Sequence, residues 1–186
     1  MVTIGTTRLL AQRLDERHLD DLERLYAEPA VTDWLGGGRT RDEVREWLAT
    51  RVDPHWNQHG FGLYAVYERD EGADESRTAP LASAAFVGRA GLAVAAPDVR
   101  EALGEPEAVE LLYALMLAKW GRGYATEIGR TLAGLAFDAL GLDSVIAYTL
   151  PENARSRRVL EKCGFADEGG VVHEDLPHVL FRRRRG

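Results

Sequence analysis

Lys119-Trp120-Gly121-Arg122-Gly123-Tyr124-Ala125-Thr126-Glu127 is the stretch on which the fold turns. Ahead of it, Val109 to Leu117 is a mostly apolar run that reads as a strand. Behind it, Ile128, Leu132, Leu135 and Ala139 recur at helical spacing, so Thr126 to Leu140 is predicted helical and is closed by Gly141. The unit is therefore strand, glycine turn, helix. Gly121, Gly123 and Ala125 keep side chains away from the turn. The backbone N–H groups of a first helical turn have no intrahelical partner, and the helix dipole adds partial positive charge. Such a turn is either a site for a phosphate or pyrophosphate or a plain turn with glycine for close packing. It is not a Walker loop, because no Gly-Lys-Ser/Thr follows at the required spacing. The glycine spacing of a dinucleotide fingerprint is absent as well.

The second informative stretch is Asn153-Ala154-Arg155-Ser156-Arg157-Arg158-Val159-Leu160-Glu161-Lys162-Cys163-Gly164-Phe165, after a buried strand over Ser144–Thr149. Asn153 and Ser156 stand at i and i+3 of a predicted helix. Either Asn153 is an N-cap with Ser156 in the first turn, or both face a ligand at a strand's C-terminal end.

Outward from these stretches the remaining elements follow. Leu10, Gln12 and Leu14 alternate like a half-buried strand. Asp15 can cap a helix with Leu19, Leu22, Leu25 and Tyr26 on one face, ending at Glu28-Pro29. Gly36-Gly37-Gly38 is a turn, and Thr40 with Glu43 has capping-box spacing ahead of Val44, Trp47 and Leu48. Gly62–Tyr67 and Ala82–Leu92 read as strands joined by a long polar hairpin loop over Arg69–Pro80. Ala95–Glu107 is irregular or briefly helical, and Phe165–Arg183 reads as one or two strands. The predicted fold is a mixed α/β layer fold, with the sheet antiparallel early and parallel late.

Lys and Arg total 23 and Asp and Glu total 30, a net charge of −7, which disfavours a nucleic-acid partner. The basic run Arg182–Arg185 reads as a solvated end or a phosphate contact. No apolar run reaches the roughly 18 residues of a membrane span, and the first residues lack a charged-then-apolar pattern, so a cytoplasmic location is expected. One cysteine, Cys163, excludes an internal disulfide and reads as a small core residue. His55 and His59 stand at i and i+4 without a zincin partner pattern, so no metal is expected. Trp47 reads as core, whereas Trp34 and Phe61 read as edging a cleft; His173 and His178 lie in or beside the last strands.

Together the two long stretches resemble the GNAT superfamily of acetyl-CoA-dependent N-acetyltransferases, most closely the branch of the ribosomal-protein N-terminal (alanine/serine) acetyltransferases. That branch has a similar Trp-Gly-Lys/Arg-Gly-Tyr-Ala-Thr-Glu segment and a similar Asn-x-x-Ser-x-x-Val-Leu-Glu-Lys-x-Gly-Phe segment. Thr7-Arg8-Leu9-Leu10, Glu28-Pro29-Ala30-Val31, Gly60 to Val66 and Val87-Gly88-Arg89-Ala90-Gly91-Leu92 follow it in order.

The resemblance implies one domain over residues 1–186, with a V-shaped mixed sheet of six or seven strands flanked by about four helices. It implies an acetyltransferase that uses acetyl-CoA as cosubstrate and a primary amine as acceptor, by direct attack in a ternary complex. On this mapping the backbone of Leu115 and Met116 pairs with the pantetheine arm. Gly121, Arg122, Gly123, Tyr124, Ala125 and Thr126 wrap the pyrophosphate, and Asn153 and Ser156 reach the pantetheine or thiol end. Glu110, the acidic residue at the start of the apolar strand, is the expected base, and Ser156 the expected proton-relaying hydroxyl beside the sulfur. Trp34, Phe61 and Glu110 are expected to meet the acceptor. That acceptor is a protein N-terminus, an amino acid, a polyamine or an aminoglycoside, and the acidic composition suits a cationic amine. Dimers are frequent among relatives, so a homodimer is open. The rival expectation is a non-catalytic CoA-binding module with a regulatory role.

Overall fold

The computed structural model describes residues 3–69 and 85–186. The chain divides into two compact units, Met1–Gly91 with Tyr113–Ala125, and Leu92–Leu112 with Thr126–Gly186. The predicted hairpin loop after Arg69 and the first residues of the strand predicted from Ala82 lie outside the described residues.

The first unit is built on antiparallel strands β1 (Thr3–Gly5), β2 (Leu9–Arg13), β3 (Leu63–Glu68) and β4 (Phe86–Val94). Leu10 lies opposite Tyr67, and Ala65 lies opposite both Gln12 and Arg89. Its helices come from short, well-marked sequences. Asp15 starts a 3-10 turn over Glu16–His18 with a capping box that uses the His18 ring, and α1 (Leu19–Tyr26) buries Leu22 and Leu25. Pro29 opens the single-turn α2 (Pro29–Thr32), where its missing N–H is not needed. Thr40 and Glu43 form the predicted capping box at α3 (Arg41–Trp47). The chain then stays helical through a π turn at Leu48–Val52 into α4 (Asp53–His59), so Pro54 falls in the first turn of α4, where a proline is tolerated.

The second unit holds α5 (Pro97–Leu103), the start of β5 (Val109–Leu115), most of α6 (Tyr124–Asp138), β6 (Ser144–Thr149), α7 (Ala154–Lys162), β7 (Ala166–His173) and β8 (Leu176–Arg184). Glu110 of β5 lies beside Ile146 in a parallel pair, while β6 with β8 and β7 with β8 are antiparallel. Val99, Ile146, Val171 and Leu180 form a core cluster. Cys163 is buried in van der Waals reach of Gly129 on α6, as a small core residue would be.

The class is mixed α/β, as predicted, with different counts. Eight strands are present among the described residues, against six or seven. The tail supplies two of them, because Glu174 and Asp175 adopt left-handed φ of 49° and 62° and turn the chain without glycine. Seven α-helical segments among the described residues replace about four, since α2 is one turn, the π turn divides α3 from α4, and the stretch read as irregular or briefly helical forms α5. The run Arg182–Arg185 is a solvated end only in its second half: Arg184 and Arg185 are exposed, whereas Arg182 is buried and Arg183 donates to the Cys163 carbonyl.

Candidate active site

In the first unit β5 ends at Leu115 and a 3-10 turn over Leu117–Lys119 leads into the glycine loop. The turn is tightly held. The Met116 N–H donates to the Val87 carbonyl (2.9 Å) and Trp120 Nε1 donates to the Leu115 carbonyl (2.8 Å). The Leu117 N–H donates to Glu28 Oε2 at 2.7 Å. Gly88, with φ 151°, lies so close to β5 that a Cβ would stand 2.2 Å from the Ala114 carbonyl oxygen. Only glycine allows this approach.

Gly121 and Gly123 have φ of 74° and 81°, the left-handed region that side chains rarely adopt. A Cβ at Gly121 would meet nothing within 4 Å, and one at Gly123 would lie 3.4 Å from Arg8 Nη2. The loop thus turns into a helix of 15 residues with open space at Gly121 and a guanidinium beside Gly123. The start of a helix, with its dipole and nearby positive charge, suits a pyrophosphate.

What fixes this loop was not apparent in the sequence. Glu68, the last residue of β3, is 2.8 Å from Lys119 Nζ, accepts from the Tyr124 hydroxyl at 2.9 Å and is 3.6 Å from Arg122 Nη1. The hydrogen bond from Lys119, with that from Tyr124, holds the Glu68 carboxyl below the usual carboxylate range. Arg8 adds a second tie, donating to the Arg122 carbonyl (3.0 Å) with its guanidinium 4.8 Å from the Tyr124 ring centre. The only local signal for Glu68 is an acid closing an apolar strand.

Trp34 and Phe61 are also in the first unit. Trp34 is exposed in the turn after α2. Phe61 stands against the His55 and His59 rings at 5.2 and 5.8 Å, and no ring contact joins it to Trp34 among the described residues. His55 is held below the ordinary histidine range by burial, with the neighbouring His59 charge acting the same way.

In the second unit Glu110 is half-buried, and its carboxylate is hydrogen-bonded to the Tyr148 hydroxyl. Burial first, and the Glu110 charge second, push the Tyr148 phenol far up, so it stays protonated and donates. The Tyr148 ring packs on His173 and His178 at 5.1 and 5.7 Å. His173 Nδ1 stands 3.0 Å from Asp98 Oδ2, and the Glu174 N–H donates to the same oxygen. Asn153 is the N-cap of α7: its Oδ1 accepts from the Ser156 N–H at 3.0 Å. Ser156 is half-buried in the first turn, and the Thr126 carbonyl stands 3.5 Å from the Cys163 thiol. Glu110 and Tyr148 are thus joined directly, as are Asn153 and Ser156.

Residues 8–166 match the acetyltransferase (GNAT) domain family, and the chain belongs to that family. It is 30% identical over 170 residues to the FsC-acetyl coenzyme A-N(2)-transacetylase of Aspergillus fumigatus, covering 87% of this chain and 64% of that protein. The fold is that of an acetyltransferase from Agrobacterium tumefaciens, with a TM-score of 0.78 at 20% identity over 100% of this chain and 95% of the other. The aminoglycoside acetyltransferase AAC(6')-Ib, solved with coenzyme A, superposes with a TM-score of 0.75 at 20% identity over 95% of both chains. The protein is therefore an acetyltransferase. No helix among the described residues is long and apolar enough to cross a membrane.

Proposed function

We propose that this protein, as one domain over residues 1–186, transfers the acetyl group of acetyl-CoA to a primary amine by direct attack in a ternary complex. The observation that carries the reading is the pair of left-handed glycines, Gly121 and Gly123, opening a 15-residue helix in a chain of the acetyltransferase family. Bound acetyl-CoA supplies the acetyl group as an activated thioester. Gly121, Arg122, Gly123, Tyr124, Ala125 and Thr126 hold its pyrophosphate. The backbone of Leu115 and Met116 aligns the pantetheine arm, and Asn153 with Ser156 attends its thiol end. Trp34 and Phe61 border the acceptor, a protein N-terminus or a small-molecule amine.

An alkylamine is mostly protonated near neutral pH, so a base must act before or during attack. Glu110 takes the proton that the amine gives up as the N–C bond forms and the C–S bond breaks. Tyr148 orients the Glu110 carboxylate through its hydrogen bond. The Ser156 hydroxyl hydrogen-bonds the departing sulfur and relays a proton to it through water.

Glu110→Gln is expected to lower kcat by about 100-fold at neutral pH, with the deficit shrinking as pH rises and free amine accumulates. Ser156→Ala is expected to lower kcat by about 10- to 100-fold with little change in Tm. Both are read by thiol release from acetyl-CoA with a panel of primary amines. Wild-type kcat/KM in both variants across pH 6–9 would overturn the two assignments. Tight acetyl-CoA binding without thiol release on any amine would establish the regulatory module instead.

A further inference from the structure

Arg89 lies in the middle of β4 with its side chain packed away from water: the residue is 8% exposed. Among the described residues its guanidinium meets no carboxylate, and its Nε is buried without a hydrogen-bond partner. What it meets is aromatic, with the guanidinium carbon 5.7 Å from the Tyr26 ring centre and 5.3 Å from that of Trp47. A buried charge left uncompensated costs several kcal/mol, and ring faces return about 2 kcal/mol at best. Arg39 approaches the same two rings, at 5.6 and 5.8 Å, so two like charges converge on one aromatic pair.

Beside Trp47 is a cavity of about 440 Å³, lined on one side by Gly36, Gly37 and Gly38. Arg39, Arg51, Glu43 and Glu46 also line it, so its own charges balance without Arg89. Glu43 accepts from the Thr40 N–H at 2.7 Å and the Thr40 hydroxyl at 2.9 Å, and the Arg39 charge acts on its carboxylate as well. Arg89 does not itself line the cavity and meets it only across the Trp47 ring. Two residues before it, the Val87 carbonyl holds the Met116 N–H, in the segment assigned above to the pantetheine arm.

We propose that Arg89, with Arg39 over the same rings, receives a carboxylate of the acceptor, so that the acceptor class is an amine that also carries a carboxylate, such as an amino acid or an acidic peptide. The proposal rests on the acetyltransferase reading and narrows its substrate. A guanidinium presents a planar fork that matches a carboxylate in two parallel hydrogen bonds, and an apolar aromatic surround strengthens the pair. Phosphate shares this chemistry, so the test separates the two anions.

The experiment measures thiol release from acetyl-CoA with three matched sets of primary amines: α-amino acids, their carboxamides and the corresponding aminophosphonates. Wild type and Arg89→Met are compared. In parallel, Tm is followed against malonate for wild type, Arg89→Met and Arg89→Lys. The expected result is a preference for the carboxylate of about tenfold or more in kcat/KM, residing in KM and abolished in Arg89→Met, while carboxamide turnover stays within about twofold. Acetyl-CoA raises the Tm of wild type and Arg89→Met alike. Equal use of acids and carboxamides by wild type, preference for aminophosphonates, or an equal loss on acids and carboxamides in Arg89→Met would overturn the proposal. If no amine in the sets turns over, malonate decides. Saturable stabilisation of wild type, weakened in Arg89→Lys because an ammonium lacks the fork, supports the site; a malonate response equal in all folded forms, or none, overturns it. Failure of the acetyltransferase reading shows separately, as absence of any acetyl-CoA effect on wild type.

Discussion

Arg182 and Arg89 are both buried guanidiniums, 6% and 8% exposed, one in each unit, and their surroundings could hardly differ more. Arg182 on β8 is 2.9 Å from Glu105 Oε1, 2.7 Å from Glu168 Oε2 and 3.1 Å from the Ser144 hydroxyl. Its Nε, Nη1 and Nη2 all donate, and it ties the turn after α5, β6 and β7 to β8. Arg89 has two ring faces and no anion among the described residues. Burial alone therefore does not separate a structural cation from a functional one; the inventory of partners does. A cation whose counter-charge comes from its own chain holds the fold together; one whose counter-charge is missing costs stability, and the proposal for Arg89 is that a ligand supplies it.

The sharpest way to break this contrast is to make both arginines apolar. Arg182→Met is expected to destabilise by about 3 kcal/mol, since it strands two carboxylates that are only partly hydrated. At roughly 2–4 °C per kcal/mol for a chain of this size, Tm falls by about 6–12 °C. Arg89→Met is expected to leave stability unchanged or to raise it, because it removes an unpaired buried charge and keeps the volume. Equal losses in thermal denaturation would mean that Arg89 is structural too.

A second substitution sharpens the comparison within the first unit. Glu68 is an anion with all its partners on the glycine loop. Glu68→Gln loosens Lys119 and Arg122 without touching the acceptor side. It is expected to raise the KM for acetyl-CoA about fivefold and leave the amine KM unchanged, the reverse of Arg89→Met. Isothermal titration with CoA and initial-rate kinetics check both halves.

Acid acts on the surroundings of Arg182 more gently than substitution does. Burial pushes the Glu168 carboxyl up, but hydrogen bonds from Arg182 and Arg184 overcome this and hold it below its ordinary range. The Glu174 N–H, aided by His173 and the Val99 N–H, holds Asp98 down to about 2. Groups with depressed folded-state pKa contribute stability that is fully present above their unfolded values and is lost as pH falls through the folded ones. The β7–β8 hairpin is therefore expected to hold at pH 5 and to loosen progressively below the ordinary carboxylate range, toward pH 2. Amide shifts of Glu174 followed by NMR over that range check it. Aspartate at position 98 is the sensitive group, so Asp98→Asn is expected to flatten the transition.

Much of this was written locally in the chain. The capping box at Thr40 and Glu43, the glycine turn at Gly121 and Gly123, the Asn153 cap and the apolar spacing of α6 are patterns within a few residues, and each formed where the pattern stands. The places where the reading fell short concern long separations. Nothing near Glu68 announces Lys119, Arg122 and Tyr124, and nothing near Arg182 announces Glu105; a cluster of arginines at a chain end looks solvated until its strand pairs with β6. The β7–β8 turn escaped because Glu174 and Asp175 take left-handed φ without a glycine to mark them. Arg89 does carry a local signal: one charge inside the apolar run Phe86–Leu92, which a strand buries at a cost unless something compensates it.

The most direct test of the central claim is acetyl transfer itself in wild type and Gly123→Glu, followed together as thiol release and as mass-spectrometric appearance of the N-acetylated amine after incubation with a cell extract. Gly123 has φ 81° and Arg8 beside it, so a glutamate there brings strain and sets a carboxylate beside Arg8, where the phosphates must lie. The wild type is expected to release thiol only when amine is present, and to be stabilised by about 2.7 kcal/mol at 100 times the acetyl-CoA dissociation constant. The variant is expected to remain folded and to lose both the stabilisation and the product. A folded Gly123→Glu protein that still binds acetyl-CoA and acetylates amines at the wild-type rate would contradict the account.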